Sequence, residues 1–114
     1  MRLMVLVMHD VNKLEPLISR FKDENISGTI INSTGMIQTL FGMNDEAIIG
    51  SLRQLLDMNR EENRTILILL RESKIRRTVN IIEEIIGDLD TPNTGVVFTV
   101  PIDFMKGAYG LIED

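Results

Sequence analysis

Cysteine is missing from all 114 residues, and tryptophan is missing with it. Disulfides and thiolate metal sites are therefore excluded, and the reducing cytosol is the expected setting. Aromatic residues make up only 4% of the chain, one tyrosine and four phenylalanines, which is too few for a platform on which bases or sugars stack. A single histidine, His9, leaves little material for imidazole catalysis or a histidine-rich metal site. Basic charge is also scarce. Twelve Lys and Arg against 17 Asp and Glu give a net charge of −5, which offers no electrostatic reason to approach a nucleic-acid backbone or an anionic membrane. No segment reaches the roughly 20 apolar residues that span a bilayer. The N-terminal run from Leu3 to Met8 stops at His9 and Asp10 with no small-residue cleavage site, so it reads as a strand and not as an export signal.

What is present is ordinary globular material, 44% hydrophobic and 25% charged. A chain of this length buries about two-thirds of its unfolded surface and suits one domain, residues 1–114. The continuous apolar run at 2–8 predicts a buried strand. Val11, Leu14, Leu17, Ile18 and Phe21 then recur at helical spacing, with Asn12 and Glu15 in the pattern of a capping box, predicting a helix over 12–25. Residues 29–34 form a second strand of mixed polarity, suited to an edge. Asn44 and Asp45 can cap a helix over 45–58 that carries Ile48, Ile49, Leu52, Leu55 and Leu56 on one stripe. Residues 65–70 are the clearest strand, apolar on both faces. Ile75, Val79, Ile82 and Ile86 mark the next helix, ending at Gly87, and 96–100 form the last strand, closed by Pro101.

The order β-α-β-(α)-β-α-β predicts an α+β, ferredoxin-like βαββαβ sandwich with an additional helix between strands two and three. The first and third strands, both apolar throughout, belong at the centre of a four-stranded sheet. Two helices cover only one sheet face, and a bare Leu/Ile/Met face exceeds the apolar patch that monomers tolerate. Self-association is the economical cover, with the 45–58 helix as its competitor.

The first apolar strand, the helix at 12–25, Gly28, the strand ending Ser33-Thr34-Gly35 and the closing stretch from Thr94 to Ile102 together resemble the PII-like superfamily, especially its receptors for cyclic di-AMP. The resemblance covers most of the chain and implies a homotrimer that binds small effectors in clefts between subunits. It also implies a cytoplasmic signal-transduction role, with the long loop between strands two and three, residues 36–64, contacting a target protein. By position, Thr34, Gly35 and Gln38 at the base of that loop and Thr94 and Gly95 before the last strand become the ligand-binding residues, with an adenine nucleotide or a cyclic dinucleotide as effector. Glycine suits such a place, because it lets backbone N–H groups approach a phosphate closely. The chain departs from the family pattern in three places. Only Lys106 follows the last strand where ATP-sensing members carry a basic motif, the loop has no tyrosine, and Met36 and Ile37 replace the Gly and Phe of cyclic di-AMP receptors. The resemblance leaves two alternatives, a ligand-free trimeric interaction module and a CutA-like metal-binding trimer.

No enzymatic reading emerges. His9 beside Asp10 lacks further ligands or a nucleophile in a turn motif such as Gly-x-Ser-x-Gly. Glu61-Glu62 and Glu83-Glu84 are adjacent pairs that diverge on a helix. The basic residues Arg60, Arg64, Arg71, Lys74, Arg76 and Arg77 are interleaved with glutamates and read as a solvated helix face, with an anion contact by a few of them beside a helix N-terminus as the alternative.

Overall fold

The computed structural model describes residues 1–34 and 62–107. Four strands form one antiparallel sheet: β1 (Arg2–Met8), β2 (Thr29–Thr34), β3 (Glu62–Leu70) and β4 (Gly95–Pro101). Their spatial order is β2-β3-β1-β4, so the two apolar strands are central and the polar-edged β2 is outermost. Among the described residues two helices, α1 (Leu14–Asp23) and α2 (Ile75–Ile86), complete an α+β sandwich compatible with a small ferredoxin-like fold. The helix expected over 45–58 lies outside the described residues.

Alternation along the strands divides the sheet into two faces. Met4, Leu6 and Met8 of β1 and Ile66, Ile68 and Leu70 of β3 point to one side, where Leu17 and Phe21 of α1 and Ile81 and Ile82 of α2 close over them. Removing such side chains from water contributes roughly 1.5–3 kcal/mol each, and this layer is the core. Thr78 is buried among them without loss, because its hydroxyl donates to the Lys74 carbonyl at 2.8 Å.

Local signals explain the element ends, with two differences from the sequence expectation. The helical region opens as a 3₁₀ turn at Val11–Lys13, and its N-cap is Asp10, whose carboxylate accepts the Asn12 N–H at 3.0 Å. The Asn12–Glu15 capping box is therefore replaced by an acidic cap two residues earlier. Strand β3 begins at Glu62, three residues before the apolar run, because the polar half of β2 supplies partners for Glu62, Asn63 and Arg64. Arg64 thus belongs to a strand, not to a helix face. α1 ends where Asn25 takes a positive φ of 58° and the Ile26 N–H reaches back to the Phe21 carbonyl at 2.8 Å, a Schellman-type stop that turns the chain toward β2. α2 ends at Gly87, as its sequence predicts, with φ at 100°.

Candidate functional site

The other sheet face has no helix over it among the described residues. In level rows it carries Ile31, Thr65, Val7 and Val96, then Thr29, Leu67, Val5 and Phe98, then Leu69, Leu3 and Val100. Ile31 is 44% exposed, Val96 50%, Phe98 48% and Val100 43%. These are large apolar side chains left in contact with water at both edges of the sheet. The apolar second face expected from the two central strands is present.

At one end of this face the apolar rows give way to a polar cluster. Ser33 of β2 and Asn63 of β3 are opposite each other, with Thr65 two residues along. The Ser33 hydroxyl donates to the Asn63 side-chain oxygen and lies 2.9 Å from the Thr65 hydroxyl. Because a serine hydroxyl has one proton, the Thr65 hydroxyl is the donor in the second bond. Asn63 is only 4% exposed. Sequence reading passed over this cluster. The signal for it was the polar interruption shared by two strands whose remaining residues are largely apolar.

The expected ligand residues fall at that same end. β1 and β2 finish there, and β3 and β4 start there, so Thr34, Glu62, Met8 and Gly95 all mark one rim of the sheet. Within the chain the structure does not bring the two halves of the expected site together. Thr34 belongs to edge strand β2, and Thr94 and Gly95 to the opposite edge, three inter-strand spacings away, on the order of 14 Å. Gly35 and Gln38 lie outside the described residues. The Thr94 carbonyl accepts the His9 N–H at 3.4 Å. Gly95 has φ of 153°, and a Cβ there would stand 2.5 Å from the Val7 carbonyl oxygen. The glycine is thus required by the β1–β4 pairing itself.

His9 and Asp10 are exposed at this rim, and no group of three or more metal-ligating side chains exists among the described residues. Charge is organised elsewhere, on the helices. Glu24 at the end of α1 accepts from Arg20 at 2.6 Å and from Arg77 of α2 at 2.7 Å. The Arg20 hydrogen bond, with Arg77 adding to it, holds the Glu24 carboxyl below its ordinary range, and the same bond raises Arg20. This is a clamp between helices and offers no acid or base poised near neutrality.

Among the described residues, two cavities adjoin β2. One, of about 510 Å³, lies between α1 and the strand, against Ile18, Phe21, Ile26 and Ile30. The other, of about 230 Å³, opens on the uncovered face beside Leu3, Leu67 and Leu69. Neither includes Thr34, Thr94 or Gly95.

Among the described residues no helix is long and apolar enough to cross a membrane. No protein-family model and no curated protein sequence matches the chain. A solved structure does: a functionally unknown protein from Pediococcus pentosaceus is similar at a TM-score of 0.63 and 17% identity, over 93% of this chain and 95% of that one, which makes the likeness one of fold.

Proposed function

We propose that the chain is a PII-like regulatory subunit. In this reading it forms a homo-oligomer, a trimer by the resemblance. It holds a small effector, an adenine nucleotide or a cyclic dinucleotide, in clefts between subunits and reports it to a protein partner through residues 36–64. The observation that supports this reading is the position of Thr34 and of Thr94 with Gly95 on one rim but opposite edges of the sheet. A second subunit laid against either edge would bring the two sets to one cleft. The uncovered apolar face gives the chain a physical reason to recruit one.

One observation favours the ligand-free interaction module as a second reading. Gly95 and the Thr94 carbonyl are already accounted for by packing against Val7 and His9.

A thermal-shift series with ATP, ADP and cyclic di-AMP, run beside light scattering, separates the two. Effector binding predicts an oligomer whose melting temperature rises with one of these ligands, equivalent to about 2.7 kcal/mol at a hundredfold excess over Kd. Thr34→Val and Thr94→Val should each diminish the shift while the mass stays constant. An oligomer that responds to no nucleotide overturns the effector and leaves the interaction module.

A further inference from the structure

On the helix side of the sheet, β2 gives α1 little to pack on. Ile30 stands there opposite Ile66, followed on the same side by the polar Asn32 and Thr34. The chain enters the strand through Ser27 and Gly28, and Gly28 is drawn tight against β3, where a Cβ would stand 2.6 Å from the Leu67 carbonyl oxygen. With no side chain at Gly28 and a small one at Ser27, the space under the end of α1 stays unfilled. The cavity of about 510 Å³ is the result.

Its size falls within the roughly 300–1,000 Å³ of small-molecule sites, whereas the 230 Å³ cavity on the other face falls below it. Phe21 and Ile66, 5% and 2% exposed, close the inner side. Ile18 and Ile30, 40% and 42% exposed, stand at the mouth. Ile18, Phe21, Lys22 and Asn25 follow one another at three- and four-residue steps, which places them on one stripe of the helix. The stripe therefore brings an ammonium and an amide to the same cavity as the apolar groups.

The last turn of α1 holds two cations, Arg20 and Lys22. Arg20 is committed to Glu24 and Glu84. Lys22 takes part in no ion pair among the described residues. The positions three and four away from it, Ile18, Ser19, Asn25 and Ile26, hold no carboxylate. The carbonyls of Arg20, Phe21 and Lys22 already accept N–H groups of residues 24–26, so the helix end is capped without the lysine. An apolar interior selects a hydrocarbon chain, and a single uncommitted point charge selects one negative charge at its end. The Asn25 amide adds a second donor at the rim.

The geometry points to a binding site for a linear aliphatic monocarboxylate, with its chain against Phe21, Ile30 and Ile66 and its carboxylate at Lys22. The site is independent of the proposed effector cleft, because neither Thr34 nor Thr94 nor Gly95 lines it and no second copy is needed to form it.

Isoleucine methyl groups report on it directly. In the full chain labelled at the Ile δ1 methyls, titration with octanoate should shift Ile18, Ile26, Ile30 and Ile66 saturably and leave Ile102, beyond the opposite edge of the sheet, unmoved. Affinity should rise with chain length by up to about fourfold per methylene between hexanoate and octanoate. Lys22→Met keeps the aliphatic stem and removes the charge, so it should weaken octanoate by about two- to fivefold and leave octanol unchanged. Ile30→Trp, which fills the mouth, should abolish both. Octanoate that moves none of the four methyls, or moves Ile102 along with them, overturns the site. Equal octanoate binding by wild type and Lys22→Met overturns the carboxylate assignment, whether or not Ile30→Trp folds. Nucleotide binding would be unaffected by any of these results, so failure here is distinct from failure of the effector reading.

Discussion

Gly95 and Val7 are held so close across the β1–β4 pair that a Cβ on the glycine would stand 2.5 Å from the Val7 carbonyl oxygen. Backbone, not a flexible side chain, is the obstacle, so the strands must separate to admit even alanine. The φ of 153° adds strain for any L side chain. Gly95→Ala should therefore cost about 1–3 kcal/mol in urea unfolding. Gly87→Ala is the comparison. Its φ of 100° is also unfavourable, but an added Cβ meets nothing within 4 Å, so its cost should be the smaller. Equal losses at the two positions would show that the close approach to Val7 is relieved without effort. A second consequence concerns ligand tests, since a variant at Gly95 perturbs the sheet and says nothing about a cleft.

The clamp at Glu24 gives a pH dependence whose direction is determined. Arg20 first and Arg77 second favour the ionised carboxylate, so its folded pKa lies below its unfolded one. Its stabilising effect is complete at pH values above the ordinary carboxyl range of the unfolded chain. It disappears as pH falls through the depressed folded value. Thermal melts of the wild type and Glu24→Gln should accordingly differ at neutral pH, with the variant lower, and converge in acid. Arg77→Met should lower the melting temperature in the same direction, because it cuts the link between α1 and α2. A gap that persists at low pH would assign the effect to packing of the side chain and not to its charge.

Much of this fold was legible because hydrophobic period and strand order carry it. Leu3 to Met8 and Thr65 to Leu70 read as central strands, and they are central. Ile75 to Ile86 kept its helical spacing from end to end. What escaped notice depended on short polar side chains whose partners are distant or unexpected. Asp10 took the capping role that Asn12 was expected to fill, since one residue type serves as well as the other and only backbone geometry selects between them. The extension of β3 back to Glu62 was hidden because residues 62–64 are polar, and their strand state is imposed by β2. The candidate site was legible only as positions along the chain. The opposite-edge placement of Thr34 and Gly95 follows from the sheet order that the two apolar central strands already imply, whereas the level each residue reaches on the rim depends on strand register, which no local pattern encodes.

Leu6 and Phe98 separate the covered face from the open one. Leu6 is fully buried under the helices, and Leu6→Ala should cost about 2–5 kcal/mol through lost burial and the cavity left behind. Phe98 is 48% exposed, and Phe98→Asp should leave the secondary structure of the subunit intact by circular dichroism. Its effect should instead appear in light scattering as a loss of mass, because it places a charge inside the proposed interface. A Phe98→Asp variant that keeps the wild-type mass would exclude this face from self-association.

The polar cluster makes the sharpest distinction among near neighbours. Thr65 donates to Ser33, and Ser33 donates to the buried oxygen of Asn63, so the serine is the only member that serves both others. Ser33→Ala takes a donor from a buried acceptor and should cost about 1–3 kcal/mol. Thr65→Val removes only the outer donor, while Ser33 keeps its proton on Asn63, and the loss should be about 0.5–1.5 kcal/mol. Urea unfolding at one fixed protein concentration measures both, the concentration being held because association would add to the apparent stability. The expected order is Ser33→Ala below Thr65→Val below wild type. If Thr65→Val proves as costly as Ser33→Ala, the direction of the hydroxyl chain is the reverse of the one assigned. The polar end of the sheet would then be organised from β3 outward and not from β2.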